Sequence, residues 1–286
     1  MKSKIILGTV QFGLNYGINN PKGKPAPEQV FEILEYAASK GVEILDTADA
    51  YGNASELLGN FNKSNPALFK INTKFKFSKE PLKAQLSMSL DKLCLDSIET
   101  YFYHNFNDFI KHPELLDQLL VLKQEGLINK IGISVYDNEE LRIAILTKEI
   151  DAIQFPFNLL DNRYQRGELM KFAKSKGKEL QVRSVFLQGL FFKSIESIPS
   201  KLDLFKSELQ KIHDMAGECG LAIEMIALLY VLNQNEIDNV IIGVDNLEQL
   251  KTNFNFMQQK LMPEIIERID QIAVKETELL YPKNWN

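Results

Sequence analysis

Residues 43–56 read EILDTADAYGNASE. The apolar pair Ile44-Leu45 stops at Asp46, and Asp49, Tyr51, Gly52 and Ser55-Glu56 follow before the next apolar pair. The pattern predicts a strand at Val42–Leu45 that leaves a core, a polar loop, and a short helix through Leu58 with Ser55 as N-cap. A strand-to-helix turn needs only one or two turn residues, so two aspartates and a tyrosine are a surplus. Two readings stay open for the surplus: a rich loop, or one part of a catalytic site.

The same strand–loop–helix unit recurs along the chain. Short β-branched runs predict further strands at Lys4–Leu7, Phe69–Thr73, Ile98–Tyr103, Lys130–Ile133, Ala152–Phe155, Leu180–Val182 and Asn239–Ile242. Helical patterns separate them. One runs from Pro27 to Lys40 behind a proline and Glu28, and another over Pro81–Leu93 with Leu82, Leu86, Leu90 and Leu93 on one face. Others cover Pro113–Glu125, ended by Gly126, then Asn138–Leu146 and Gly167–Ser175. An insertion with two helices, Leu202–Glu218 and Ala222–Leu232, precedes the last strand. Helices at Leu247–Met257 and Pro263–Lys275 end the pattern. Eight strands with following helices in 286 residues predict a parallel (β/α)8 barrel, the TIM barrel, as one domain over residues 1–286. A doubly wound sheet would carry a GxGxxG turn after an early strand, and GTVQFG at residues 8–13 lacks that spacing.

Composition narrows the function. The 45% hydrophobic and 25% charged fractions are those of an ordinary globular protein. A net charge of −5, with no basic half and no block of like charge, argues against a nucleic-acid partner. No apolar run reaches the length of a membrane span. The first apolar stretch is interrupted by Gly8, Thr9 and Gln11 too soon for a secretion signal. The two cysteines, Cys94 and Cys219, read as free thiols of a reducing compartment. The expectation is a cytoplasmic, unprocessed protein whose oligomeric state nothing in the sequence sets.

In such a barrel the active site forms at the carboxyl ends of the strands. The first polar residues at the predicted ends are Asp46, Lys74, His104, Ser134, Gln154 and Ser184. Singly, each has a bland reading: a turn aspartate, a solvated lysine, a packed histidine. His112, before Pro113, and His213, among polar residues of a helix, read as structural or surface groups. Taken together, Asp46, Lys74 and His104 end neighbouring strands, with Tyr51 just past one of them. A phenol with a pKa near 10 is a poor proton donor at neutral pH unless something stabilises the phenolate. An adjacent ammonium lowers that pKa, and a carboxylate keeps the ammonium charged and in position. An imidazole can hydrogen-bond a substrate carbonyl.

The run Asp46-x-Ala48-x-x-Tyr51-Gly52-x-x-Ser55-Glu56, followed by Lys74 and His104, resembles the aldo-keto reductases. The likeness extends from Gly8-Thr9 to Leu247-x-Gln249-Leu250-x-x-x-Asn253. It implies a barrel that binds NADPH, or NADH, across its carboxyl face and reduces a small-molecule aldehyde or ketone to an alcohol. On this resemblance Tyr51 protonates the product oxygen, Lys74 and Asp46 tune Tyr51, and His104 orients the carbonyl. Thr9 joins the cofactor set. Ser134 and Gln154 match residues that hold the nicotinamide carboxamide, but Val135 stands where the family has an asparagine. Arg183 occupies the position of an aromatic that stacks on the nicotinamide, Ser184 keeps its place, and the backbone from Phe186 to Gly189 wraps the pyrophosphate. Gly243, Gln249 and Asn253 fall at the adenine end. The basic residues that clamp a 2′-phosphate are absent at Gly243 and Gln249, which keeps NADH open.

Substrate contacts are less determined. Phe12, Phe106, Phe155, Phe157 and Phe186 fall in or near the rim loops, as an apolar pocket or as packing. Arg163, Tyr164 and Arg166 open a helix, as a polar-substrate site or as a solvated helix start. Two rival functions remain at this level: a redox-sensing module that binds NADP(H) with little turnover, and a Schiff-base enzyme using Lys74.

Overall fold

The computed structural model describes residues 3–20 and 22–285. Eight parallel strands close a barrel in chain order: β1 (Ile5–Gly8), β2 (Ile44–Asp46), β3 (Lys70–Phe75), β4 (Ile98–Tyr103), β5 (Ile128–Ser134), β6 (Ala152–Pro156), β7 (Glu179–Arg183) and β8 (Asn239–Gly243). β1 closes the ring by pairing on both sides, Gly8 lying opposite Asp46 of β2 and Gly243 of β8.

Side-chain alternation along the strands sorts two environments. Leu7, Leu45, Ile71, Ile131, Ile153 and Val182 belong to the core between the strands and the surrounding helices. Each such side chain contributes roughly 1.5–3 kcal/mol on full burial. Alternate positions point into the barrel, where Asn72 of β3 donates through Nδ2 to Gln181 Oε1 of β7 at 3.1 Å. Gly132 leaves room there for Phe102, since a Cβ at 132 would lie 2.4 Å from the Phe102 ring. The registers Asp46↔Asn72, Lys74↔Phe102, Ser134↔Gln154 and Pro156↔Arg183 bring the strand ends to one rim. A slip of one residue would turn these side chains to the other face.

β4 and the helix Asn138–Leu146 have the bounds the sequence predicts. Other elements differ. The helix expected to stop at Leu58 runs over Ala54–Ser64, with Asn53 at its N-cap and Ser55 inside it. Leu57, Leu58 and Phe61 bury its face, and Phe61 packs edge-on against Phe31 at 5.4 Å, which a local reading of NFNKS does not reveal. The helix before β7 begins at Arg163 instead of Gly167, because Asn162 caps it by accepting from Tyr164 N. The helix from Pro263 ends at Asp270, short of Lys275. The first helix of the insertion starts as a 3-10 turn at Ser200–Phe205 and continues as the helix Lys206–Cys219. A further helix, Phe106–Lys111, is capped by Asn105.

Among the described residues, no single helix is long and apolar enough to cross a membrane. The most apolar one, Ile223–Leu232, is packed into the core. Both cysteines are free thiols, Cys94 exposed and Cys219 partly buried.

Candidate active site

The loop after β2 is fixed by backbone contacts on both sides. Thr9 donates its N–H and its hydroxyl to the Asp46 carbonyl at 3.0 and 3.1 Å. Thr47 N donates to Asn72 O at 2.9 Å, and Asp49 N to Lys74 O at 3.3 Å. Gly52 has φ +55°, and a Cβ there would lie 2.3 Å from the Gly13 carbonyl oxygen. The surplus aspartate of this stretch now has a role: Asp49 accepts from Ser89 Oγ at 2.9 Å and so ties the loop to the helix Leu82–Leu93. Burial raises the Asp49 pKa.

At the centre lies a buried ion pair. Lys74 Nζ donates to Asp46 Oδ2 at 2.5 Å and to the Thr47 carbonyl at 3.0 Å. Gln154 Nε2 donates to the other carboxylate oxygen of Asp46 at 2.9 Å. Burial lowers the Lys74 pKa, and the Asp46 carboxylate opposes that shift. Lys74 Nζ sits 5.3 Å from the centroid of the Tyr51 ring.

The phenol departs from the sequence expectation. Burial raises the pKa of Tyr51, Asp46 adds to the rise, and Arg183 works against it. Tyr51 is therefore protonated at neutral pH, the form a proton donor needs. His104 meets it edge to face, with ring centroids 6.2 Å apart. Burial and the charges of Lys74, Lys76 and Arg183 push the imidazole down to about 3, so it is neutral. Its Nδ1 is buried without a hydrogen-bond partner.

These groups open onto a cleft of about 810 Å³. Asp46, Tyr51, Lys74 and His104 line it together with Thr9, Ser134, Gln154 and Arg183. Ser184, Phe186, Gly189, Gly243, Gln249 and Asn253 line it as well, so the structure brings the whole candidate set to one cleft. The turn after β7 is strained: Ser184, Leu187 and Gln188 have φ of 62°, 44° and 55°. Such backbones cost of order 1–3 kcal/mol each and cluster at functional sites.

Several lining residues escape sequence reasoning. Gln11 and Tyr136 lie within or beside the motifs. Tyr16 and Asn20 carry no local signal, because the segment after β1 reaches the cleft only by long-range contacts. Ile18 N donates to Gln188 O at 3.2 Å, Gln188 Nε2 to Tyr16 Oη at 3.1 Å, and Asn20 Nδ2 to Asp245 Oδ1 at 3.0 Å.

Other candidates lie elsewhere. Phe12, Phe155 and Phe157 are fully buried in the core, and Phe106 packs on Phe109, so only Phe186 of the five lines the cleft. Arg166 is neither solvated nor in the cleft: it is buried with a forked pair of bonds to Asp161 at 2.7 and 2.8 Å. Arg163 pairs with Glu236 at 2.9 Å, and Tyr164 is exposed. His112 stacks on Phe77, and His213 is partly buried in the insertion helix. No group of His, Cys, Asp and Glu able to hold a metal occurs among the described residues.

The sequence pattern of the Aldo/keto reductase family matches residues 4–274. The chain is 26% identical to the NADH-specific methylglyoxal reductase of Escherichia coli K12, over 84% of this chain and 87% of that protein. It is 22% identical to the aldo-keto reductase yakc [NADP(+)] of Schizosaccharomyces pombe, over 88% of this chain and 85% of that one. The holo-form structure of an aldo-keto reductase from Bacillus halodurans superposes with a TM-score of 0.76 at 22% identity, covering 95% of this chain and 92% of its own, a likeness of fold. With that family pattern spanning a closed parallel barrel, the chain belongs to the aldo/keto reductase family of NAD(P)H-dependent carbonyl-reducing enzymes.

Proposed function

We propose that this enzyme reduces its aldehyde or ketone where Tyr51 and His104 face the cleft, with Tyr51 as the proton donor. The observation that carries the reading is the buried Asp46–Lys74 pair beside a protonated phenol and a neutral imidazole. His104 hydrogen-bonds the carbonyl oxygen and orients it. Tyr51 passes its phenolic proton to that oxygen as the alcohol forms, and solvent later reprotonates the phenolate. Lys74 stabilises the phenolate during transfer, Asp46 keeps Lys74 charged, and Gln154 holds the far oxygen of Asp46. Lys74 is poorly suited to Schiff-base chemistry, because a buried salt bridge occupies its amine.

The residues of the cleft suit a nicotinamide dinucleotide, which when bound supplies the hydride. Ser134 offers a hydroxyl and Gln154 a spare amide oxygen to the carboxamide. The buried Gln11 Oε1 has no partner, and a Cβ on Gly243 would lie 2.3 Å from it, a narrow place that only glycine leaves open. Thr9, Ser184 and the backbone from Phe186 to Gly189 continue the contact surface, with Gly243, Gln249 and Asn253 at the β8 end. The resemblance favours NADPH, but the charge of the β8 end favours NADH. Glu224, Asp245 and Glu248 line that end, whereas Lys74 and Arg183, the cations of the lining, belong to the end around Tyr51. A 2′-phosphate there would meet like charge, while a ribose 2′-hydroxyl can donate to a carboxylate.

Steady-state oxidation of NADH or NADPH with a test aldehyde checks the reading. Repeated turnover separates a reductase from a redox-sensing module. A Tyr51→Phe variant that reduced a good substrate at the parent rate would remove the proton-donor role.

A further inference from the structure

Arg183 ends β7 inside the cleft without a carboxylate partner. Its guanidinium donates from Nη2 to the Val135 carbonyl at 3.3 Å and lies on the face of Tyr136, with Cζ 4.3 Å from the ring centroid. The other arginines with ion pairs differ: Arg163 has Glu236, Arg166 has Asp161 and Arg268 has Glu218. No ion pair among the described residues involves Arg183.

The charge around Tyr51 is therefore out of balance. Asp46 neutralises Lys74, which leaves one half-buried cation in surplus a short way from Tyr51 and His104. Lys283, exposed and outside the cleft lining, approaches the same Tyr136 ring with Nζ 3.9 Å from its centroid. A half-buried cation is costly without an anion. Tyr136 covers the flat face of the guanidinium, while most of its five N–H donors lie in the plane and are unspent. A planar fork of this kind fits a carboxylate or phosphate through two parallel bonds.

We propose that Arg183 determines substrate specificity, receiving an anionic oxygen group, carboxylate or phosphate, carried by the carbonyl compound. The proposal rests on reduction taking place beside Tyr51. It makes the substrate an aldehydo or keto acid, or a phosphorylated carbonyl compound.

Two matched pairs test it with the full-length enzyme and NADH or NADPH. They are 4-carboxybenzaldehyde against methyl 4-formylbenzoate, and glyceraldehyde 3-phosphate against glyceraldehyde. In at least one pair the anion has a kcat/KM about tenfold higher, the scale of one charge-assisted hydrogen bond. The pair that shows the preference names the anion. Arg183→Gln brings the ratio toward one, chiefly through KM, and Arg183→Lys restores part of it. Benzoate or inorganic phosphate, whichever matches the preferred anion, also quenches the fluorescence of the enzyme–cofactor complex in the parent and not in Arg183→Gln. Equal kcat/KM within both pairs, or a preference that Arg183→Gln leaves unchanged, would overturn the anion site and leave carbonyl reduction standing. Benzoate binding lost in Arg183→Gln, with no turnover of any of the four carbonyls, would support the anion site and overturn the reduction reading.

Discussion

Gly13 lies so close to Tyr51 that a Cβ on Gly13 would come 1.8 Å from the Tyr51 carbonyl oxygen. The turn after β1 and the loop after β2 are thus packed backbone to backbone, and the position of the phenol depends on a residue with no functional group. Gly13→Ala must push the Tyr51 loop away. The expected outcome is a loss in kcat of about 100-fold, the scale of a displacement near 1 Å at a reacting group. Cofactor affinity, measured by fluorescence titration, is retained.

Removing one partner of the central ion pair is expected to cost stability as well as rate. Lys74→Met strands the Asp46 carboxylate in a buried place, at roughly 3–5 kcal/mol. Denaturant unfolding measures this. The double variant Lys74→Met/Asp46→Leu recovers much of the loss in stability but none of the activity.

The neutral state of His104 has a pH signature. In the unfolded chain the imidazole protonates near 6.5, and in the folded protein only near 3. Between those values the unfolded state holds the extra proton, so unfolding becomes easier as pH falls. This contribution to stability is fully present above about 6.5 and is lost progressively toward 3. Urea midpoints between those limits should fall more steeply for the parent than for His104→Asn, and parallel slopes would refute the neutral buried imidazole.

Cofactor choice is readable by binding alone. NADH is expected to bind about tenfold more tightly than NADPH, since one like-charge contact at short range is worth ~1.4 kcal/mol at partly screened sites. Asp245→Arg should narrow or invert that ratio. Asp245 accepts from Asn20 and Gln249, so the substitution also loosens the segment after β1. Faster cofactor dissociation in stopped-flow is the second readout.

The barrel is legible in the sequence because its elements are encoded locally, by β-branched runs and by apolar residues at helical spacing. β4 and the helix Asn138–Leu146 can be read residue for residue. The candidate site is legible for a related reason: in a barrel closed in chain order, polar residues at successive strand ends must share a rim. Asp46, Lys74 and His104 meet because β2, β3 and β4 are neighbours both in sequence and in space.

Only the tertiary structure decides the quantities that depend on summed surroundings. The Tyr51 pKa rises because desolvation and Asp46 outweigh the opposing charge of Arg183, a balance that no local pattern reveals. Arg166 is buried against Asp161 although NRYQR reads as a solvated helix start, and Phe155 packs outward although it follows Gln154 at the rim. Gln188 meets Tyr16 across 172 positions of chain. In EILDTADAYGNASE, residue order alone determines the strand, the turn and the identity of Asp46 and Tyr51. That Asp49 is an anchor to Ser89, and that Gly13 holds Tyr51 in place, follows from packing between segments that the sequence keeps apart.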